Sequence, residues 1–138
     1  MTPADATAME LALRFVSAIN HREMETLRAL MPENHVFVDS GGDAVRGREA
    51  IIEAWARFFR MFPDYEIQVH RVLEEDGSVG VFGTAGGTWA PDGVLREENR
   101  WSIPAAWEAN ITNGQVSVWR VFADLEPVRR ILGGISTP

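Results

Sequence analysis

The spacing of apolar residues changes character at Pro63. Before it, Met9, Ala12, Leu13, Val16 and Ile19 recur at three- and four-residue intervals with Phe15 flanking the same face, and Met24, Leu27, Leu30 and Met31 do so again. A third stripe, Ile51, Ile52, Trp55, Phe58, Phe59 and Phe62, fills the segment from Gly47 to Phe62. After Pro63 the interval is two, in runs at about 65–73, 79–90, 95–111 and 115–123, separated by Glu75-Asp76-Gly77, Pro91-Asp92-Gly93 and Asn113-Gly114. A helix repeats its face about every 3.6 residues and a half-buried strand every second one. The chain therefore reads as three helices followed by four long antiparallel strands joined as hairpins.

Local signals place the ends. Thr2-Pro3-Ala4-Asp5 has the form of a helix cap and Asn20-His21-Arg22-Glu23 repeats it, while Pro32 and Pro63 stop the second and third helices. Asp124-Leu125-Glu126-Pro127 caps a short last helix to about Leu132, closed by Gly133-Gly134. Between the second and third helices, "HVFVDSGG" (His35 to Gly42) alternates briefly and enters a glycine turn. Helices gathered before a meander of strands give an α+β fold in which helices cover one face of a curved sheet and leave a cone-shaped hollow. The 138 residues suffice for one domain, 1–138.

Composition narrows the chemistry. The chain has no cysteine and no lysine, so disulfides, thiolate ligands, Schiff bases and a P-loop are excluded. A net charge of −7 without a basic stripe argues against nucleic acid. No stretch reaches the ~20 apolar residues of a membrane span, and the acidic N-terminus lacks the pattern of a signal peptide. A cytoplasmic protein with no membrane partner is the expectation. The three histidines, His21, His35 and His70, do not share ligand spacing, so neither a metal nor another cofactor is expected.

Taken in order, "LRFVSAINHREMETLRALM", "HVFVDSGG", "VRGREAIIEAWARFF", "MFPDYEIQV" and "GQVSVWRVFADLEPVRRILGG" resemble the NTF2-like superfamily, and within it the SnoaL-like and ketosteroid-isomerase-like proteins. The resemblance implies a cone-shaped fold with three N-terminal helices on a strongly curved, mainly antiparallel sheet and a short C-terminal helix. It also implies a homodimer formed through the outer sheet face, where Val118, Arg120 and Phe122 alternate outward. The fold hosts isomerases, cyclases, dehydratases, epoxide hydrolases and non-catalytic modules, so function has to be read from the hollow.

In ketosteroid-isomerase-like relatives the general base is an aspartate before the glycine turn, a position that matches Asp39. A carboxylate in an apolar hollow is suited to taking a proton alpha to a carbonyl and returning it nearby. The usual electrophilic partners match Phe15 and, within one residue, Ala106 or Trp107; only a tryptophan N–H there can donate. The epoxide-hydrolase triad matches Ala85, Gly87 and Val121, which cannot perform that reaction. A late-strand aspartate of SnoaL-like cyclases matches near Arg120 or Asp124, and Asp124 also reads as a plain helix cap. His35 shares a strand side with Phe37 and Asp39 and is placed either to orient Asp39 or at a half-exposed strand mouth. Arg46 and Arg48 shape the third helix's start or receive an acidic group.

Alternation supplies the lining. Val81, Gly83, Ala85, Gly87 and Trp89 share one strand face, with small residues that leave room above it. Trp101, Trp107, Trp119 and Val121 on later strands, with Trp55, Phe59 and Phe15 from helices, would wall a site for a flat, apolar organic ligand. Each of them also has an ordinary role as core. Two functions remain: an enzyme moving protons on an apolar carbonyl or polyketide-like compound (isomerase, cyclase or dehydratase), or a module that only binds a small ligand or a protein.

Overall fold

Thr7 begins the first helix, its Oγ accepting the Glu10 N–H at 3.1 Å. The computed structural model describes residues 6–133, so the proposed cap Thr2–Asp5 and Gly134 lie outside the described residues. Helix α1 (Ala8–Asn20) buries Leu11, Ala12, Phe15, Val16, Ala18 and Ile19. Its buried stripe is thus centred on Phe15, and Leu13, expected inside, is 37% exposed.

Helix α2 (Met24–Ala29) is only six residues long and has no side-chain cap. Asn20 does not cap it as expected. It closes α1 and reaches across to strand β3 (Glu66–Glu75), donating to the Ile67 carbonyl at 2.9 Å and accepting the Ile67 N–H at 2.8 Å. A polar residue at a helix end here ties the helix layer to the sheet.

The sheet has six strands in the order β2-β1-β6-β5-β4-β3. Besides β3 these are β1 (Val36–Val38), β2 (Ala44–Arg46), β4 (Ser78–Thr88), β5 (Arg100–Thr112) and β6 (Gln115–Ala123). Neighbouring strands run antiparallel except β1, which lies parallel to β6 with Phe37 beside Trp119. Strand β2 was not foreseen, being short and exposed throughout. Residues 97–99, read as strand, form a 3-10 turn before β5.

Curvature has local causes. The β3 to β4 register skips His70 between Val69 and Arg71, an extra residue that bends the ladder. Gly83 faces that bend, where a Cβ would lie 1.8 Å from the Gln68 carbonyl oxygen. Its smallness serves the close approach of two strands, a role different from the roomy floor expected of it. Helix α3 (Arg48–Met61) lies across the hollow with Ile51, Ile52 and Trp55 inward, and helix α4 (Glu126–Gly133) crosses the end of β5. Among the described residues no helix is long and apolar enough to cross a membrane.

Candidate functional site

One face of β1 runs from the closed end of the cone to its open end. His35 begins it, fully buried; Phe37 follows; Asp39 ends it, half-buried, beside the mouth. The three do share a side. Four residues of strand span about 13 Å, however, so His35 and Asp39 are separated by Phe37 and do not bond.

His35 Nδ1 lies 2.6 Å from the Val116 carbonyl oxygen. A carbonyl only accepts, so Nδ1 carries the proton and Nε2, buried with no partner among the described residues, does not. Burial pushes the His35 pKa down, opposed in part by the Val116 bond. The ring sits 5.9 Å from that of Phe15, which packs 4.7 Å from Trp119, which in turn stacks on Trp107. Phe15 and Trp119 were expected to touch ligand; they are sealed in this core and do not border the hollow.

The open half holds a cavity of about 390 Å³. Phe37, Trp55, Phe58, Phe62, Tyr65, Trp101 and Trp107 supply its aromatic walls, with Val121 and Ala123 from β6 and Leu125, Val128 and Leu132 from the α4 end. Trp55 meets Phe37 and Phe58 edge-on, and Phe62 meets Trp101 the same way. Edge-on contact is a favoured aromatic geometry and fixes the orientation of each ring in the wall. Ala85 and Ala105 keep the floor low.

Four other expected lining residues fall elsewhere. Phe59 stacks behind Trp55 and carries the Arg22 guanidinium 4.3 Å above its ring. Trp89 is held at the strand end by Asn99, outside the cavity, and Val81 is packed in the core. Gly87 makes room for backbone: a Cβ there would lie 3.3 Å from Tyr65 Cα.

Polar groups at the cavity are few. Asp39 and Ser40 stand at its edge. Asp39 Oδ1 accepts the N–H groups of Gly41 at 2.9 Å and Asp43 at 3.0 Å, which fixes the carboxylate in the turn, while Oδ2 has no partner among the described residues. Asp39 thus serves the turn through Oδ1 and borders the cavity at the same time. Asp124 is exposed and Oδ1 accepts the Glu126 N–H at 3.0 Å, the bond of a residue that starts α4. It does not border the cavity, because the strand's alternation turns Val121 and Ala123 inward instead. Nor does any arginine line it: Arg48 is paired with Glu49 and Arg46 is exposed on β2.

Tyr65 was missed in the sequence, where it marked only the start of the alternating region. It borders the cavity, its hydroxyl bonds to nothing among the described residues, and burial holds its proton far above the ordinary phenol range. Its buried apolar position two residues before Ile67 was the available signal. No group of three metal-ligating side chains exists among the described residues.

The model of the SnoaL-like domain matches residues 12–124. The chain belongs to this family. No curated protein sequence matches it. Solved structures resemble this SnoaL-like protein closely in shape and weakly in sequence. A candidate SnoaL-like polyketide cyclase from Jannaschia sp. CCS1 is 24% identical with a TM-score of 0.77, covering 100% of this chain and 97% of its own. A protein of ketosteroid-isomerase-like fold from Catenulispora acidiphila, in complex with trimethylamine, is 19% identical with a TM-score of 0.76, covering 92% and 95%. An LEH-like epoxide hydrolase of M. tuberculosis is 18% identical with a TM-score of 0.75, covering 91% and 88%. The SnoaL-like fold is common to all of them, and their described activities differ.

Proposed function

We propose that this SnoaL-like protein is a small-molecule enzyme that moves a proton on an apolar carbonyl or polyketide-like substrate, as an isomerase, cyclase or dehydratase does, with Asp39 as the acid/base group. One observation carries the reading: a carboxylate at the edge of an aromatic cavity, with Oδ1 fixed by two backbone amides and Oδ2 without a partner among the described residues. The bonds to Oδ1 orient the group without occupying the oxygen that would take the proton. A cavity of about 390 Å³ fits a ligand of several rings or their open-chain equivalent. With no arginine in its wall, it favours neutral substrates over anions. Asp124, which starts α4, and His35, which is packed in the core, take no part in this proton transfer.

The test is exchange of alpha protons into D2O, followed by NMR over a panel of cyclic ketones, aryl ketones and β-diketones. Asp39→Asn should lower the rate by about 10²- to 10⁴-fold with an unchanged melting temperature. Exchange at the wild-type rate in that variant overturns the assignment.

A non-catalytic ligand carrier of the same fold is the second reading. Favouring it, Asp39 is only half-buried and already serves its turn. Recovery of every panel compound unexchanged, despite binding, would establish it.

We further propose a homodimer through the outer sheet face. Phe82, Ala106 and Phe122 lie in register across β4, β5 and β6, with both phenylalanines exposed. Phe122→Asp should shift sedimentation from dimer to monomer; a wild-type monomer at high concentration contradicts it.

A further inference from the structure

The cavity has a proton acceptor at its edge, and a proton-transfer site also needs a donor for the oxygen on which charge develops. We infer that the Tyr65 hydroxyl is that donor: it hydrogen-bonds the carbonyl oxygen of the ligand while Asp39 handles the proton. The inference rests on the proton-transfer reading above and names its missing electrophilic partner.

Four observations lead there. Tyr65 as a residue is 8% exposed and borders the cavity, and its hydroxyl has no partner among the described residues yet is not one of the sealed unpaired polar atoms, so it is open to an oxygen that a ligand supplies. Its backbone is held from three sides. Tyr65 N–H donates to the Phe62 carbonyl at 3.1 Å. Asp64 accepts both the N–H and the Oγ–H of Thr88, each at 2.7 Å, clamping the turn to the end of β4. Two residues on, Asn20 bonds Ile67 through both of its amide atoms.

Gly87 completes the seat, since any side chain there would press on the Tyr65 backbone. Such a hydroxyl is placed before a ligand arrives, and little freedom is lost on binding. The Arg22 guanidinium, bonded to the Ile19 and Pro63 carbonyls, adds positive field near the phenol. That field favours a partner oxygen that becomes negative.

Other donors are weaker candidates. The Trp101 indole N–H is unpaired but itself buried, so it cannot meet a ligand without moving. Trp55 and Trp107 present indole N–H groups, which are poorer proton donors than a phenol. In the transfer, Asp39 removes a proton alpha to the carbonyl and the bonding pair moves into the C–C–O system. The enolate oxygen keeps the Tyr65 hydrogen bond, and the proton returns from Asp39 to carbon. No other reactant is consumed.

The test uses two flat probes of one shape, 2-acetylnaphthalene and 2-isopropenylnaphthalene, which differ in carbonyl oxygen against methylene. Wild-type protein should bind the ketone about five- to tenfold more tightly and shift its carbonyl stretch to lower frequency. Tyr65→Phe should bring the ratio near one and return the stretch to its value in apolar solvent, with hydrocarbon affinity unchanged. Retention of ratio and shift in Tyr65→Phe assigns the bond to another donor and overturns the inference. So does a wild-type protein that binds neither probe or does not tell them apart.

Alpha-deuterium exchange of the same ketone separates the two claims. Exchange that needs Asp39 but not Tyr65 sinks the Tyr65 role and leaves the proton-transfer reading standing. A Tyr65-dependent shift without Asp39-dependent exchange does the reverse.

Discussion

The two halves of the cone are built from the same kinds of residue and do opposite things. In the closed half, Phe15, His35 and Trp119 pack at tilted angles and leave no room. In the open half, Phe37, Trp55, Phe58, Phe62, Tyr65 and Trp101 meet mostly edge-on around about 390 Å³ of space. Composition does not separate them. Helix α1 covers the first, whereas the second lies where β6 has ended and β5, from Arg100 to Pro104, is paired with β4 on one side only. An aromatic side chain becomes core or wall according to whether a facing element reaches it.

The contrast can be broken most strongly at Trp119. Trp119→Ala should cost about 3–5 kcal/mol in urea unfolding, as for other large core truncations. A loss below about 1 kcal/mol would show the closed half to be loosely packed after all.

His35 offers the next largest effect. His35→Leu leaves the Val116 carbonyl without its donor and should cost about 1–3 kcal/mol at neutral pH. The pH sign follows from burial. Because the folded pKa lies below the unfolded value, His35 contributes its full stability above about pH 6.5. That stability is lost as pH falls through this value toward the folded pKa, since the unfolded chain then binds a proton the folded one refuses. His35→Leu should flatten this limb. Asp92, held to about 2 by Arg96, titrates in a separate window between about 4 and 2. An unchanged slope near pH 6 in the variant would mean that His35 is not closed off from water.

The smallest stability change belongs to the open half. Ala105→Leu projects into existing space and should alter stability by less than about 1.5 kcal/mol, yet it should reduce binding of 2-acetylnaphthalene by at least about tenfold. Unchanged binding would place the ligand elsewhere. A large loss of stability would mean that the space is smaller than the structure shows.

Much of the architecture was legible. Helical spacing marked α1 and α3 because one face of each meets the sheet, and the hairpin turns at Gly77, Gly93 and Gly114 each take a positive φ that suits glycine. The N-terminus of α2 was misread because Asn20 matches a cap in sequence while in space it faces Ile67. Strand β2 escaped notice because three exposed residues carry no burial pattern.

The site was legible in part. Asp39 was singled out by the resemblance to ketosteroid-isomerase-like proteins, and it lies among the residues that border the cavity. Phe15, Phe59, Trp89 and Trp119 could not be told from true wall residues, since alternation assigns a face and not a depth along the strand. Tyr65 stayed hidden among apolar neighbours, as its significance lies in a hydroxyl left unpaired. A missing partner is a property of the whole environment and leaves no trace in spacing.

The sequence by itself determined most of the inward faces of α1 and α3 and the turns that join β3 to β6, because periodicity and turn chemistry act over a few residues. Only the tertiary structure decided that the inward residues divide into a sealed core and an open cavity, with Asp39 at the edge of the latter and Tyr65 in its wall. That division depends on where α1, α4 and the unequal lengths of β5 and β6 bring surfaces together. Those distances are set by residues far apart in the chain.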